Sequence, residues 1–335
     1  MSATVNWGII STANIGVAKV IPAMMRGSVS RVTAIASRDL ATAEATASKL
    51  GIAKAYGSYE ELLADPEIDA IYNPLPNHLH VPWTIKALEA GKHVLCEKPI
   101  AITANEAKAL IAARHASGKL LAEAFMVRFH PQWQRARDRV RAGELGDVRA
   151  IQTAFCYFNN DPENVRNKAD IGGGGLLDIG CYAVATARYI FDAEPSRAVG
   201  LIEHDPTFGT DRLSSGIVAF PDHRRLTFTC STQLVPYQRV QILGTKGRLE
   251  IEIPFNAPPD RPCRILFDDG TDLTGGKIAV ETFPAVDQYT LQGDAFSRMI
   301  LGTETQEFRL EDAIANMRVL DALTRSGATG GWEIV

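Results

Sequence analysis

Across the first 125 residues, short apolar runs alternate with segments of helical period, and few folds accept that rhythm. Val5 to Ile10 reads as a strand, Ile15 to Met25 as a helix and Val32 to Ala36 as a second strand before an alanine-rich helix ending at Gly51. Ala53 to Tyr56, Ile68 to Asn73, His93 to Cys96 and Leu120 to Phe125 continue the series. Ser58 with Glu61, and Thr103 with Glu106, carry the capping-box spacing that opens a helix. Strands separated by helices of about ten to fifteen residues require right-handed crossovers and hence a parallel sheet. Residues 1–125 are therefore expected to form a doubly wound α/β domain.

From a basic helix at about His130 to Arg141 onward, strand-like runs follow one another through turn signals such as Pro221-Asp222 and Gly244-Thr245-Lys246-Gly247. Helices are expected near Leu176, at Val286 to Ile300 and at Leu310 to Thr324. Grouped strands and grouped helices make an α+β layer with a large, mostly antiparallel open sheet, here assigned to residues 126–335. The outer face of that sheet is too apolar for easy solvation, so a homodimer or homotetramer through it is expected.

Composition removes whole classes of function. The net charge of −4 is spread along the chain, which argues against a nucleic-acid partner. No apolar run reaches the ~18 to 20 residues of a membrane span. MSATVNWGII passes directly into strand pattern, and the five cysteines never form C-x-x-C. A cytoplasmic location with reduced thiols and no metal site is the expectation.

The first strand runs into Ser11-Thr12-Ala13-Asn14-Ile15-Gly16 and a helix. The dinucleotide fingerprint has glycine at three places in this turn, and here only the last is glycine. Ser11 and Ala13 are small enough for a pyrophosphate to approach the backbone, and free N–H groups at the helix start would bind its oxygens. The second strand ends in Ser37-Arg38, a hydroxyl and a guanidinium suited to a 2′-phosphate, and Asp39 reads as a helix start. These features predict NADP(H) as the preferred cofactor, with NAD(H) as the alternative.

Pro74-Leu75-Pro76-Asn77-His78 follows the fourth strand, with Asn77 expected to cap the next helix and leave His78 at the sheet mouth. His78 and His80 are two apart and make a poor metal pair, so cofactor contact or packing suits His78 better. The fifth strand ends in Glu97-Lys98-Pro99, at the edge where ligands bind in open α/β sheets. Gly172 to Gly175 precede Asp178 and Tyr182, which share a face at helical i,i+4 spacing. A tyrosine beside a cationic lysine has a lowered pKa and can exchange a proton with a hydroxyl.

In this order the motifs resemble the Gfo/Idh/MocA oxidoreductases, the glucose–fructose oxidoreductase and inositol dehydrogenase family. The resemblance rests on the first turn, Glu97-Lys98-Pro99, the Ala124 to Phe129 join, and the glycine run with Asp178 and Tyr182. It implies that Lys98 is the active-site lysine and Lys98–Pro99 a candidate cis peptide. Tyr182 stands where many members carry histidine. Together with Trp7 and Arg128-Phe129-His130-Pro131, this resembles the branch of glucose–fructose oxidoreductase, dimeric dihydrodiol dehydrogenase and NADP-dependent xylose dehydrogenase. The implied cofactor contacts are Ser11, Thr12, Ala13, Asn14, Ile15, Ser37, Arg38, Pro74, Leu75, Asn77, His78, Glu97, Lys98, Arg128 and Tyr289. The implied substrate contacts are Lys98, Phe155, Tyr157, Asp178 and Tyr182. Lys98, Tyr182 and Asp178 would carry catalysis on a small sugar or diol, with oxidation of an aldopyranose at C1 to the lactone as the leading reading. A dihydrodiol dehydrogenase, a dicarbonyl or anhydro-sugar reductase, and a catalytically silent NADP-binding regulator are the alternatives.

Overall fold

Trp7, Ile9 and Ile10 are fully buried, as expected for a strand covered on both faces. In the computed structural model, which describes residues 3–335, they belong to β1 (Val5–Ile10). β2 (Ser30–Ala36), β3 (Lys54–Tyr56), β4 (Ala70–Asn73), β5 (His93–Cys96) and β6 (Leu121–Glu123) complete a parallel sheet in the order β3-β2-β1-β4-β5-β6. The strand order reverses between β1 and β4, and this switch point opens the crevice in which such sheets bind ligands. Both predicted N-caps form, while the paired glutamates reach back one residue further, to Gly57 N and Ile102 N. Ser58 Oγ accepts from the Glu61 amide, and Thr103 Oγ1 accepts from the Glu106 amide.

The chain separates into two compact units, residues 1–126 with 288–314, and residues 127–287 with 315–335. Residues 288–314, placed with the second half on sequence grounds, thus belong to the first unit. Local polar chemistry accounts for this. Trp7 Nε1 donates to Ser297 Oγ on the helix Gln288–Ile300. One turn earlier, the Asp294 carboxylate accepts from Ser28 N and Oγ, Val29 N and Ser30 Oγ. These bonds fasten the helix to the entry of β2. They join residues more than 260 positions apart, which local periodicity cannot reveal.

The second unit is built on a nine-stranded sheet, in the order β14-β13-β12-β11-β7-β10-β9-β8-β15. Its strands are β7 (Val148–Phe158), β8 (Arg197–His204), β9 (Asp211–Ala219), β10 (Arg225–Ser231), β11 (Gln233–Gly244), β12 (Arg248–Ile251), β13 (Cys263–Asp268), β14 (Ala279–Phe283) and β15 (Glu333–Ile334). All neighbours pair antiparallel except β7 with β10. The strands β13, β14 and β15 were not expected from the sequence. The helix Cys181–Phe191 is buried along its whole length, and its small residues Ala183, Ala185 and Ala187 let it lie close to its neighbours. Phe158, Leu201, Val235 and Tyr237 remain exposed. Among the described residues no helix is long and apolar enough to cross a membrane.

Candidate active site

In the first unit the candidate residues gather at the C-terminal edge of the parallel sheet. Ser11 has φ 75°, the left-handed conformation that explains why this turn ordinarily carries glycine. Its hydroxyl accepts from the Ala13 amide at 3.3 Å. The following helix opens as a wide π turn, Gly16–Val20. A Cβ on Gly16 would meet Pro74 and Tyr72 at an ordinary 3.7 Å, so close packing does not demand glycine here. At the end of β2, Arg38 is exposed and lies beside Tyr59. Asp39 is the N-cap of the helix Leu40–Leu50 and accepts from Thr42 N (3.1 Å) and Thr42 Oγ1 (2.5 Å). Those bonds hold its carboxyl below the usual range.

After β4, Asn77–Leu79 form a 3₁₀ turn, and the helix His80–Glu89 has Leu79 rather than Asn77 at its cap position. The prolines move the helix cap two residues beyond the expected Asn77. Leu75 N donates to Asn73 Oδ1 at 3.3 Å. His80 is a core residue. Its Nδ1 faces Pro99 O at 2.7 Å and its Nε2 faces Leu75 O at 2.6 Å, so it spans the loops after β4 and β5. His78, by contrast, has a buried Nδ1 with no hydrogen-bond partner among the described residues. Beyond β5, Glu97 Oε1 accepts from the Tyr72 hydroxyl at 2.7 Å and Oε2 from the Lys98 amide at 3.3 Å. Burial and the Glu97 charge push the Tyr72 phenol well above its ordinary pKa. The Lys98–Pro99 peptide is cis. Tyr289, on the helix Gln288–Ile300, lies near enough to Tyr72 to act on its phenol electrostatically.

A nicotinamide dinucleotide suits these residues. A small-residue turn at a helix start, an exposed guanidinium, and a buried imidazole nitrogen with no hydrogen-bond partner among the described residues all stand at one sheet edge. Ser11 through Ile15 would hold the pyrophosphate, Ser37 and Arg38 the adenosine end, and the Pro74 to His78 loop with Glu97 the nicotinamide end.

In the second unit the glycine run acts as a clamp. The amides of Gly173 and Gly174 donate to Lys168 O (2.9 Å) and Arg166 O (2.8 Å). A Cβ on Gly173 would come within 2.6 Å of both carbonyls. Gly174 has φ 119°, and a Cβ there would collide with Asp211 Oδ1. The other Asp211 oxygen accepts from Leu176 N (2.5 Å) and Ser214 Oγ (3.0 Å), and burial raises that carboxyl to about 6.

Next comes a π turn, Leu176–Gly180, leading into the helix Cys181–Phe191. The wide turn corrects the expectation of a regular i,i+4 face for Asp178 and Tyr182. Asp178 Oδ2 accepts from the Tyr157 hydroxyl at 2.6 Å and lies 2.8 Å from Arg166 Nε. Desolvation and the Asp178 charge raise the Tyr157 phenol, and the same carboxylate raises the Arg166 guanidinium. Arg166 also interacts electrostatically with Tyr182. The Tyr182 ring packs edge-on to Phe155 (5.8 Å between centroids) and tilted against Phe255 (5.3 Å). Arg128 is buried in the 3₁₀ turn Met126–Phe129.

Phe155, Tyr157, Asp178 and Tyr182 are thus brought together. Sequence reasoning missed Arg166, Asp211 and Phe255. Arg166 sits in a polar loop with no periodic signal, and Asp211 opens a strand, where an aspartate reads as a turn residue.

Fold and sheet edge define a nicotinamide dinucleotide oxidoreductase. Residues 5–125 match the oxidoreductase family with an NAD-binding Rossmann fold, and residues 133–250 match the GFO/IDH/MocA C-terminal domain. The chain belongs to the Gfo/Idh/MocA oxidoreductase family. It is 40% identical to D-xylose 1-dehydrogenase (NADP(+)) 2 of Haloferax volcanii over 97% of this chain and 98% of that one. Among solved structures it is similar to an aldose-aldose oxidoreductase from Caulobacter crescentus complexed with glycerol (TM-score 0.90, 26% identity, covering 99% of this chain and 100% of that one). A 3-ketoreductase from Actinomadura kijaniata in complex with NADP and TDP-benzene is similarly close (TM-score 0.89, 28% identity, 96% and 98% covered).

Proposed function

We propose that the protein is an NADP(H)-dependent aldose dehydrogenase that oxidises an aldopyranose at C1 to the lactone. The observation that carries this reading is the tyrosine hydroxyl of Tyr182 set beside a paired, hydroxyl-binding cluster, Asp178 with Arg166 and Tyr157. The xylose dehydrogenase and aldose-aldose oxidoreductase relatives support it. Bound nicotinamide supplies the hydride acceptor. Tyr182, as phenolate, takes the proton of the C1 hydroxyl while the hydride leaves the same carbon. Lys98 is the candidate for offsetting the negative charge that develops in the reaction, and Asp178 the candidate for orienting the sugar. Arg38, with Asp39 committed to its helix, favours the 2′-phosphate of NADP. The apolar residues left exposed on the large sheet support a homodimer or homotetramer through that surface.

The test follows NADPH formation with D-xylose, D-glucose, L-arabinose and D-galactose, repeated with NAD. Turnover of at least one sugar, faster with NADP, is expected. Tyr182→Phe should lower kcat by about 10²- to 10⁴-fold. Unimpaired turnover in Tyr182→Phe would remove the proton-transfer role, and a clear preference for NAD would remove the cofactor assignment.

A further inference from the structure

We infer that Arg166 is a specificity-determining residue that binds the substrate hydroxyl next to the reacting carbon, selecting a neutral vicinal diol over deoxy or anionic sugars. This deepens the aldose dehydrogenase reading and rests on it.

A guanidinium carries five N–H donors. Arg166 Nε lies 2.8 Å from Asp178 Oδ2. Among the described residues its two terminal nitrogens have no protein acceptor, and the side chain is 40% exposed. Those donors lie within electrostatic range of Tyr182, whose oxygen meets the reacting hydroxyl in the proposed reaction. A group placed there reaches the neighbouring hydroxyl of a ring, not its far side.

Charge decides the class of substrate. Arg166 and Asp178 sum to zero, so the pair holds no spare cation for a carboxylate or phosphate. Adding an anion beside Asp178 would bring two like charges together in a partly desolvated site. A neutral hydroxyl has no such difficulty, since its oxygen accepts from the guanidinium.

The fold fixes Arg166 at both ends of its backbone. Its amide donates to Asn164 Oδ1 at 3.1 Å, and its carbonyl accepts from Gly174 N at 2.8 Å. Gly173 has no room for a Cβ because that same carbonyl and Lys168 O lie 2.6 Å from where it would stand. The glycines before the Tyr182 helix therefore place Arg166 as well as the helix. An arginine needed only for solubility would not require this.

The experiment compares D-glucose with 2-deoxy-D-glucose, using NADP, in the wild type and in Arg166→Ala and Arg166→Lys. The wild type should favour D-glucose over its 2-deoxy analogue by about 10- to 100-fold in kcat/KM, the worth of a hydrogen bond to a charged group. In Arg166→Ala the loss should fall on D-glucose, chiefly in KM, reducing the preference to a few-fold. Arg166→Lys, which keeps the cation beside Asp178, should recover part of it. If Arg166→Ala slows both neutral sugars by the same factor, or changes neither, the inference is overturned while the dehydrogenase reading stands. A wild type that binds NADP yet oxidises no sugar overturns both.

Discussion

Asp39 stands near the end of β2, where a dinucleotide-binding chain commonly places the acid that holds the ribose hydroxyls, yet its carboxylate is committed to Thr42. Arg38, one residue earlier, is exposed and reaches outward beside Tyr59. The two therefore separate cleanly in their consequences. Arg38→Ala removes a charge-assisted contact and should raise KM for NADP by about 10- to 100-fold while leaving KM for NAD nearly unchanged. Asp39→Ala should weaken the helix start, seen as a lower unfolding midpoint, and leave the ratio of NADP to NAD activity as it was. Steady-state kinetics with both cofactors decides the matter. A change of cofactor preference in Asp39→Ala would show that the carboxylate reaches the ribose after all.

At the scale of elements, the glycine run, the π turn and the strand carrying Asp211 work as one device. Gly174 leaves room for the Asp211 carboxylate, which in turn accepts the first amide of the Tyr182 helix. Gly174→Ala combines a disfavoured backbone angle with a collision, and should cost more than about 2 kcal/mol. It should lower kcat as well. Gly175→Ala is the control, since its Cβ would meet Asp211 and Thr232 at 3.4 Å or more in ordinary contact. Urea unfolding of the two variants separates local strain from general glycine loss, and equal destabilisation would contradict this account. The sequence announced that something would approach this run closely, because four adjacent glycines are costly without a reason. It could not say what approaches, since Asp211 lies 35 residues from Leu176. The same limit hid the second unit's β13 and β14, and the attachment of residues 288–314 to the first. The parallel sheet was legible because each βα crossover is local and periodic. Lys98, Asp178 and Tyr182 drew notice as candidates because each stands in a marked motif, Glu97-Lys98-Pro99 after β5 and the segment after the glycine run, whereas Arg166 owes its place to a loop held by long-range bonds.

For the whole molecule, three histidines set the response to acid. Burial depresses His80, His93 and His130 from 6.5 to about 4. Two of them show the neutral form in their geometry. His93 Nδ1 accepts from Leu120 N at 3.0 Å, and His130 Nδ1 accepts from Gln132 N at 3.2 Å, which a protonated nitrogen cannot do. His80 faces two carbonyls, whose hydrogen bonds oppose the burial that depresses it. A folded pKa below the unfolded one gives stability that is present above about 6.5 and lost as pH falls through about 4. Each fully expressed shift is worth about 3 kcal/mol at most. Asp211 runs opposite. Its carboxyl, raised from 3.8 to about 6, favours the folded state below 3.8 and loses that advantage as pH rises through 6. One carboxyl against the histidines leaves a net loss on acidification between pH 6.5 and 4. Asp65, held at about 2 chiefly by its Lys54 and Glu67 hydrogen bonds against the opposing effect of burial, adds its share only below that window. Urea unfolding at pH 7.5, 6, 5 and 4.5 should therefore show falling stability with proton uptake on unfolding. His130→Gln should flatten the slope, and Asp211→Asn should steepen it. A stability that stays level down to pH 4.5 would show that these imidazoles are charged in the folded protein.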